Sequence, residues 1–245
     1  MQGLILAGGL ATRLRPLTLV TNKHLLPVYN KPMIYYPIEA MRNAGVKEVL
    51  LTTSGDAIAH FANLLKSGEE FGIRLYYAVQ QNPKAGIADA IALAEEFTRD
   101  EPLLVILGDN IFNMNLKASI ERFEQQGKGA KIFGVHVGHM ANQYGVAEID
   151  NHGNVISLVE KPSRPKSDIA VIGVYMFDRR VFDFIKKLKP SIRGELEVTD
   201  LNNMYLQEGT LTCEIIDWWI DAGTSHDELL KANIQAAEMV KKGKL

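Results

Sequence analysis

Short, wholly apolar runs punctuate the first half of this chain, and segments of helical period fall between them. Residues 3–6 form the first run, which stops at Gly8 and Gly9; residues 49–52, 75–79 and 103–107 follow, the last leading into Gly108-Asp109-Asn110. Apolar positions recur at helical spacing over 34–44, which ends at Gly45, over 57–66, and over an alanine-rich 87–97. Strands that are apolar throughout and alternate with helices predict a mostly parallel, Rossmann-like α/β sheet with helices on both faces. Such sheets hold ligands beyond the carboxyl ends of their strands. Two of those ends carry unusual chemistry: GGLATRLRP after the first strand and GDN after the fourth.

The rhythm then changes. Residues 130–137, 145–149, 155–160 and 171–177 read as strands, with an Asp150-Asn151-His152-Gly153 turn between two of them, which is the pattern of hairpins. Helices are expected over 179–188, around 201–207 and over 225–240. No linker, repeat or low-complexity segment interrupts the chain. The expected organisation is one domain over 1–245, a nucleotide-binding half over 1–115 and a mixed, partly antiparallel half over 116–245.

Composition narrows the chemistry. With 27 basic and 29 acidic side chains the net charge is −2, so no basic field exists to attract nucleic acid or an anionic membrane. Any anionic ligand has to be held by local geometry. A single cysteine, Cys213, excludes an intramolecular disulfide and CxxC metal motifs, and fits a reducing cytoplasm. The first residues, MQGLILAGG, lack a basic leader, and no run approaches the roughly 20 apolar residues of a membrane span. The six histidines never fall at HExxH spacing, which leaves zinc hydrolysis without support.

The loop over residues 8–18 is the strongest local signal. Gly8 and Gly9 let the backbone approach a phosphate and aim N–H groups at it. Thr12 adds a hydroxyl, and Arg13 and Arg15 add guanidinium forks suited to phosphate oxygens. The segment is neither a Walker A loop nor GxGxxG, and the latter absence removes the dehydrogenase reading. Taken alone, these residues equally describe a glycine turn with solvated arginines.

In the order GGLATRLRPLT, NKHLLPVYNKPMIYYP, VQQNP, GDNIF, YGVAEID, EKP, GELEVTD and WIDAGT, the sequence resembles the sugar-1-phosphate nucleotidylyltransferases over nearly its whole length, and their glucose-1-phosphate thymidylyltransferase branch in particular. The resemblance implies direct attack by a sugar phosphate on the α-phosphorus of a nucleoside triphosphate, with pyrophosphate leaving and Mg²⁺ as cofactor. It implies dTTP and glucose 1-phosphate as partners, neither nucleic acid nor membrane among them, and a homo-oligomer. On that pattern Gly8, Gly9, Thr12, Arg13 and Lys23 hold the triphosphate, with Arg13, Lys23 and Asp109 catalytic. Gln80 hydrogen-bonds the pyrimidine, Pro83 and Gly86 shape the loop beneath it, and Asp109 and Asp221 hold the metal. The sugar phosphate falls to Asn110, Tyr144, Gly145, Glu160, Lys161, Val171, Gly173 and Tyr175. Glu197 and Asp200 read nearly as well as a helix start, and Trp218 and Trp219 as core or pocket wall.

Two positions depart from the pattern. Ala11 stands where the family usually has a third loop glycine, and a positive φ there would cost alanine on the order of 1 kcal/mol. Asp89 stands where relatives often carry a neutral or small residue. The chain also ends soon after the helix near Met239, so a regulatory site built by a C-terminal extension is not expected. The rival activities are a UTP-using or other hexose-1-phosphate enzyme, since thymine and uracil show Gln80 the same edge. A non-catalytic nucleotide-sugar sensor is disfavoured, because Arg13, Lys23, Asp109 and Asp221 are all retained.

Overall fold

The computed structural model describes residues 1–245. Along the chain run β1 (Gln2–Ala7), β2 (Pro27–Val28), β3 (Lys31–Pro32), α1 (Tyr35–Asn43), β4 (Glu48–Thr53), α2 (Ile58–Leu65), β5 (Arg74–Val79), α3 (Ile87–Ala92), α4 (Glu95–Thr98) and β6 (Leu103–Leu107). There follow β7 (Asn110–Phe112), α5 (Lys117–Gln126), β8 (Ala130–His136), β9 (Gly145–Ile149), β10 (Val155–Glu160) and β11 (Ile169–Phe177). The chain finishes with α6 (Val181–Ile185), α7 (Val198–Gln207), β12 (Leu211–Ile215), β13 (Trp219–Asp221) and α8 (His226–Lys241). It divides into two compact units, and β6 gives its first three residues to one and its last two to the other.

The first unit comprises Gly3–Pro83, Ile106–Lys117 and Trp218–Leu245. Its centre is β1, paired in parallel with β4 from Gly3↔Val49 to Ala7↔Thr53, and β4 is paired in parallel with β5. Fully apolar strands are the signature of a sheet covered on both faces, and β1 is buried along its whole length. On the other side of β1, the Gly108 N–H donates to the Leu6 carbonyl at 2.9 Å. A short antiparallel ribbon joins β7 and β13, with Trp219 opposite Phe112, Ile220 opposite Ile111 and Asp221 opposite Asn110. Ile111 and Ile220 pack with Val28, Met33, Tyr36 and the Ala232–Ala236 face of α8. Each such buried isoleucine contributes about 1.5–3 kcal/mol, so the ribbon is held by its own apolar side.

The second unit comprises Met1–Gln2, Lys84–Val105 and Ala118–Asp217. Here β8 pairs antiparallel with β11 and parallel with β12, while β9 pairs antiparallel with both β10 and β11. The expected α/β class with a parallel nucleotide-side sheet and a mixed remainder is what the strands form.

Differences from the sequence reading are local. The helix expected over 87–97 breaks into α3 and α4, because the Ala94 N–H turns back to the Ile91 carbonyl at 3.0 Å. The helix expected over 179–188 is shorter, at Val181–Ile185. The final helix starts after Ser225, whose hydroxyl accepts the Glu228 N–H at 3.1 Å. Six elements had no counterpart in the sequence reading: β2, β3, α5, β7, β12 and β13.

Candidate active site

The glycine loop leaves β1 at Ala7. Gly9 takes φ +92° and Ala11 φ +46°, after which Thr12–Leu14 forms one 3-10 turn anchored by the fully buried Leu14. Ala11 is therefore left-handed, a conformation that costs an L-residue roughly 1–2 kcal/mol. Its carbonyl is tied down by the Thr18 hydroxyl at 2.8 Å and by the Leu14 N–H at 3.1 Å. Of the two alternatives the sequence left for this position, a loop with negative φ or accepted strain, the structure shows the second. The turn leaves Thr12, Arg13 and Arg15 exposed.

Gly8 and Gln80 are brought side by side. Gln80 is 6 % exposed at the end of β5, and a Cβ on Gly8 would lie 3.2 Å from its Oε1. Glycine at position 8 thus leaves the amide oxygen uncrowded. Pro83 lines a cavity of about 460 Å³ with Gly9, Ala11, Arg15, Thr18 and Asn22.

Lys23, Asp109 and Asp221 converge although the chain separates them widely. Lys23 opens a short 3-10 turn, and its Nζ pairs with Asp109 Oδ2. Burial alone would push the Lys23 ammonium down, but the Asp109 carboxylate, with Asp221 behind it, more than offsets this and holds the pKa above its usual value. Asp109 is 7 % exposed. Burial works against its ionised form; the Lys23 charge prevails and keeps it well below the ordinary carboxylate range. The register of the ribbon sets Asp221 opposite Asn110, and the Ala222 N–H donates to the Asp109 carbonyl at 2.9 Å. Asp221 is pushed up to about 6, first by burial and then by the Asp109 charge, with Lys23 partly compensating. Asp221 accepts the Gly223 N–H at 2.9 Å and does not cap α8, a place Ser225 takes.

Asn110, 2 % exposed, donates from its amide to Asp109 Oδ1 at 3.1 Å and accepts the Trp219 indole N–H at 2.6 Å. Trp219 so orients the residue that orients Asp109. Gly223 and His24 were both missed as site residues in the sequence. A Cβ on Gly223 would collide with Asp109 Oδ2 and lie 2.8 Å from Lys23 Nζ. Only the position of Gly223 just after Asp221 in WIDAGT hinted at a tight approach.

The Asp109 charge raises the pKa of Asp221, and two such carboxylates offer the hard oxygens that suit Mg²⁺ completed by phosphate oxygens. No cluster of three or more His, Cys, Asp or Glu side chains competes for a metal. Asp109 and Asp221 would hold the ion.

In the second unit Gly145 lies opposite Glu160 in the β9–β10 register, and a Cβ on Gly145 would stand 3.2 Å from Glu160 Oε2. The Thr199 hydroxyl donates to the same oxygen at 2.7 Å. Lys161 has φ +44° and donates its N–H to the Tyr144 carbonyl at 3.0 Å, with its Nζ 3.9 Å from Glu160 Oε1. Tyr144, Gly145, Glu160 and Lys161 therefore share one strand end. On β11, Val171 is half-buried, Gly173 is buried, and Tyr175 is buried and stacked 5.9 Å from Phe177. Gly86 has φ +98°, and a Cβ there would lie 2.5 Å from the Leu196 carbonyl oxygen. Glu197 precedes α7 without capping it; its carboxylate takes Ser191 at 2.7 Å and Arg193 at 2.8 Å. Asp200 lies in the first turn of α7, its pKa raised by burial and by Glu197 and Glu160. Asp89 lies in the first turn of α3.

The sequence profile of the family described as Nucleotidyl transferase matches residues 2–239. The chain belongs to that family. Among curated members, the glucose-1-phosphate thymidylyltransferase of Neisseria gonorrhoeae is 46 % identical over 228 residues, 91 % of this chain and 78 % of that one. The enzyme of the same name from Mycolicibacterium smegmatis is 44 % identical, over 95 % of this chain and 81 % of that one. Among solved structures, a Bacillus anthracis protein assigned as a glucose-1-phosphate thymidylyltransferase, in complex with a sucrose, superposes with TM-score 0.90 at 44 % identity, covering 96 % of this chain and 95 % of that one. A UDP-glucose pyrophosphorylase complexed with UDP-glucose shares the fold, with TM-score 0.83 at 24 % identity, covering 97 % of this chain and 98 % of that one.

Proposed function

We propose that this nucleotidyl transferase joins dTTP and glucose 1-phosphate into dTDP-glucose, releasing pyrophosphate. The observation that carries the reading is the buried Lys23–Asp109 pair with Asp221 against it, in the same unit as the glycine loop. The names of the 44–46 % identical relatives supply the substrate pair.

The chemistry needs positioning and charge neutralisation more than an acid or a base. The backbone at Gly8 and Gly9, the Thr12 hydroxyl and the Arg13 guanidinium bind and orient the triphosphate, and Arg13 also meets the charge that develops on the leaving pyrophosphate. Lys23, kept protonated by Asp109, places a fixed positive charge at the reacting phosphate. Gln80 presents a donor and an acceptor to the pyrimidine edge. Glu160 accepts sugar hydroxyls and Lys161 holds the sugar phosphate, with Tyr144 and Gly145 beside them. Mg²⁺, when bound, supplies further neutralisation of phosphate charge.

The test is a panel of nucleoside triphosphates against several hexose 1-phosphates, following pyrophosphate release with Mg²⁺ and with chelator. The expected result is fastest release from dTTP with glucose 1-phosphate and none with chelator. Equal rates with UTP would assign the broader pyrimidine activity, and a faster rate with another sugar would replace glucose 1-phosphate. No release from any pair would favour the sensor reading.

A further inference from the structure

His24 follows Lys23 directly in the chain. Its side chain is 2 % exposed, and the ring lies where three separate parts of the first unit meet. Nδ1 is 2.7 Å from Asn22 Oδ1, an oxygen that also accepts the His24 backbone N–H at 2.9 Å. Asn22 carries that contact on to the carbonyl of Ala7, the last residue of β1 before the glycine loop. That same Ala7 carbonyl accepts the Asn22 amide at 3.1 Å and the Thr53 hydroxyl at 3.0 Å. On another side the ring touches Gly108, the residue between β6 and Asp109: a Cβ at Gly108 would lie 2.7 Å from His24 Cδ2 and 3.1 Å from Nε2. The backbone of His24 is continuous with Lys23.

We propose that the His24 ring, tied to Ala7 through Asn22 and packed against Gly108, fixes the glycine loop and the Asp109 carboxylate at their working separation while its own backbone holds Lys23 between them. The imidazole is suited to this. It is flat and stiff, and its Nδ1–H donates to Asn22 Oδ1. Burial, and then the charge of Lys23, push its pKa down to about 3, so it adds no competing positive charge beside Lys23. A reacting group displaced by about 1 Å costs on the order of 100-fold in rate. The ring touches one of the strand ends from which such displacements would arise and reaches the other through Asn22. This inference rests on the nucleotidyl-transfer reading above.

The experiment compares His24→Ala, His24→Gln, Gly108→Ala and the His24→Ala/Gly108→Ala double variant. Steady-state kinetics with dTTP and glucose 1-phosphate are run beside hydrogen–deuterium exchange without substrates. His24→Ala is expected to lower kcat by 10- to 100-fold while each KM moves less than threefold. Amide exchange should rise at residues 7–12 and 108–110 and stay unchanged in the second unit. His24→Gln, whose amide can still donate to Asn22, should recover at least half of the lost activity on a logarithmic scale. Gly108→Ala should reproduce the kcat loss by pushing on the ring, and adding His24→Ala to it should cost less than the sum of the two losses, because the nearest contact of the new methyl group is the ring, with the Leu6 carbonyl oxygen next at 3.0 Å. Wild-type kcat in His24→Ala, losses that add in the double variant, or exchange that rises evenly across the chain would each overturn the inference. If one single variant does not fold, the remaining variants decide by the same criteria. A wild-type protein with no nucleotidyl transfer would instead sink the activity assignment, and localised exchange in His24→Ala would still report the wedge.

Discussion

Gly223 presses its α-carbon against the carboxylate of Asp109: a side chain at 223 would strike Oδ2 and come within 2.8 Å of Lys23 Nζ. No smaller residue exists, so the buried ion pair and the backbone after Asp221 fit only with glycine there. Gly223→Ala is expected to fold with a stability loss of about 1–3 kcal/mol from overpacking and to lose at least 100-fold in kcat. Thermal unfolding and pyrophosphate release measure both, and an active Gly223→Ala enzyme would show that Asp109 tolerates displacement.

Lys23 and Asp109 are partners whose separate removal has separate effects. Lys23→Ala leaves the Asp109 charge buried without its counter-ion, a change that costs about 3–5 kcal/mol in comparable buried pairs. It also removes a charge from the reaction centre, where losses of roughly 100- to 1000-fold in kcat are usual. Asp109→Asn keeps the volume but leaves Lys23 unneutralised, and is expected to be inactive at all Mg²⁺ concentrations. Full activity in Asp109→Asn would remove Asp109 from the metal site.

Asp221 makes a prediction about pH with a definite sign. Its folded pKa of about 6 lies above the ordinary 3.8, so the native state binds the proton more tightly than the unfolded chain does. The associated stabilisation is complete below about pH 4 and is lost as pH rises through about 6. In metal-free protein Asp221→Asn should therefore be the more stable form at pH 7.5, by about 3 kcal/mol, and should keep only about 1 kcal/mol of that advantage at pH 4.5. Urea unfolding at the two pH values with chelator present checks this; an advantage of equal size at both would show that ionisation is not its source.

Ala11 holds a left-handed conformation that glycine adopts without strain. Relief of roughly 1–2 kcal/mol is set against the extra freedom glycine has in the unfolded chain, roughly 0.4–1 kcal/mol. Ala11→Gly is expected to raise stability by up to about 1 kcal/mol, read as a small increase in melting temperature. A lower melting temperature would mean that the alanine methyl makes a contact worth more than the strain.

Much of this architecture was legible in the sequence, and the rest was hidden for physical reasons. β1, β4 and β6 announce themselves because a strand buried on both faces must be apolar throughout. Gly8 and Gln80, named from separate segments, meet as the parallel order of their strands requires. α5 escaped notice because KASIERFEQQ buries only Ser119, Ile120 and Phe123 and is otherwise polar. β7 and β13 have three residues each, too few for any period to show. The contacts of Gly223 and His24 are made with residues far away in the chain, and no local pattern encodes them. Ala11 could be marked as an anomaly by resemblance, but the sign of its φ is a property of the folded loop.

The β7–β13 ribbon has a bearing on synthesis as well as on chemistry. It joins residues 109 positions apart in the case of Asn110 and Trp219, so one carboxylate is made early and waits for the other. Until the ribosome has passed residue 221, the chain holds neither the Trp219–Asn110 brace nor the companion acid of Asp109. A shorter chain therefore lacks one carboxylate of the candidate site and the support of the other.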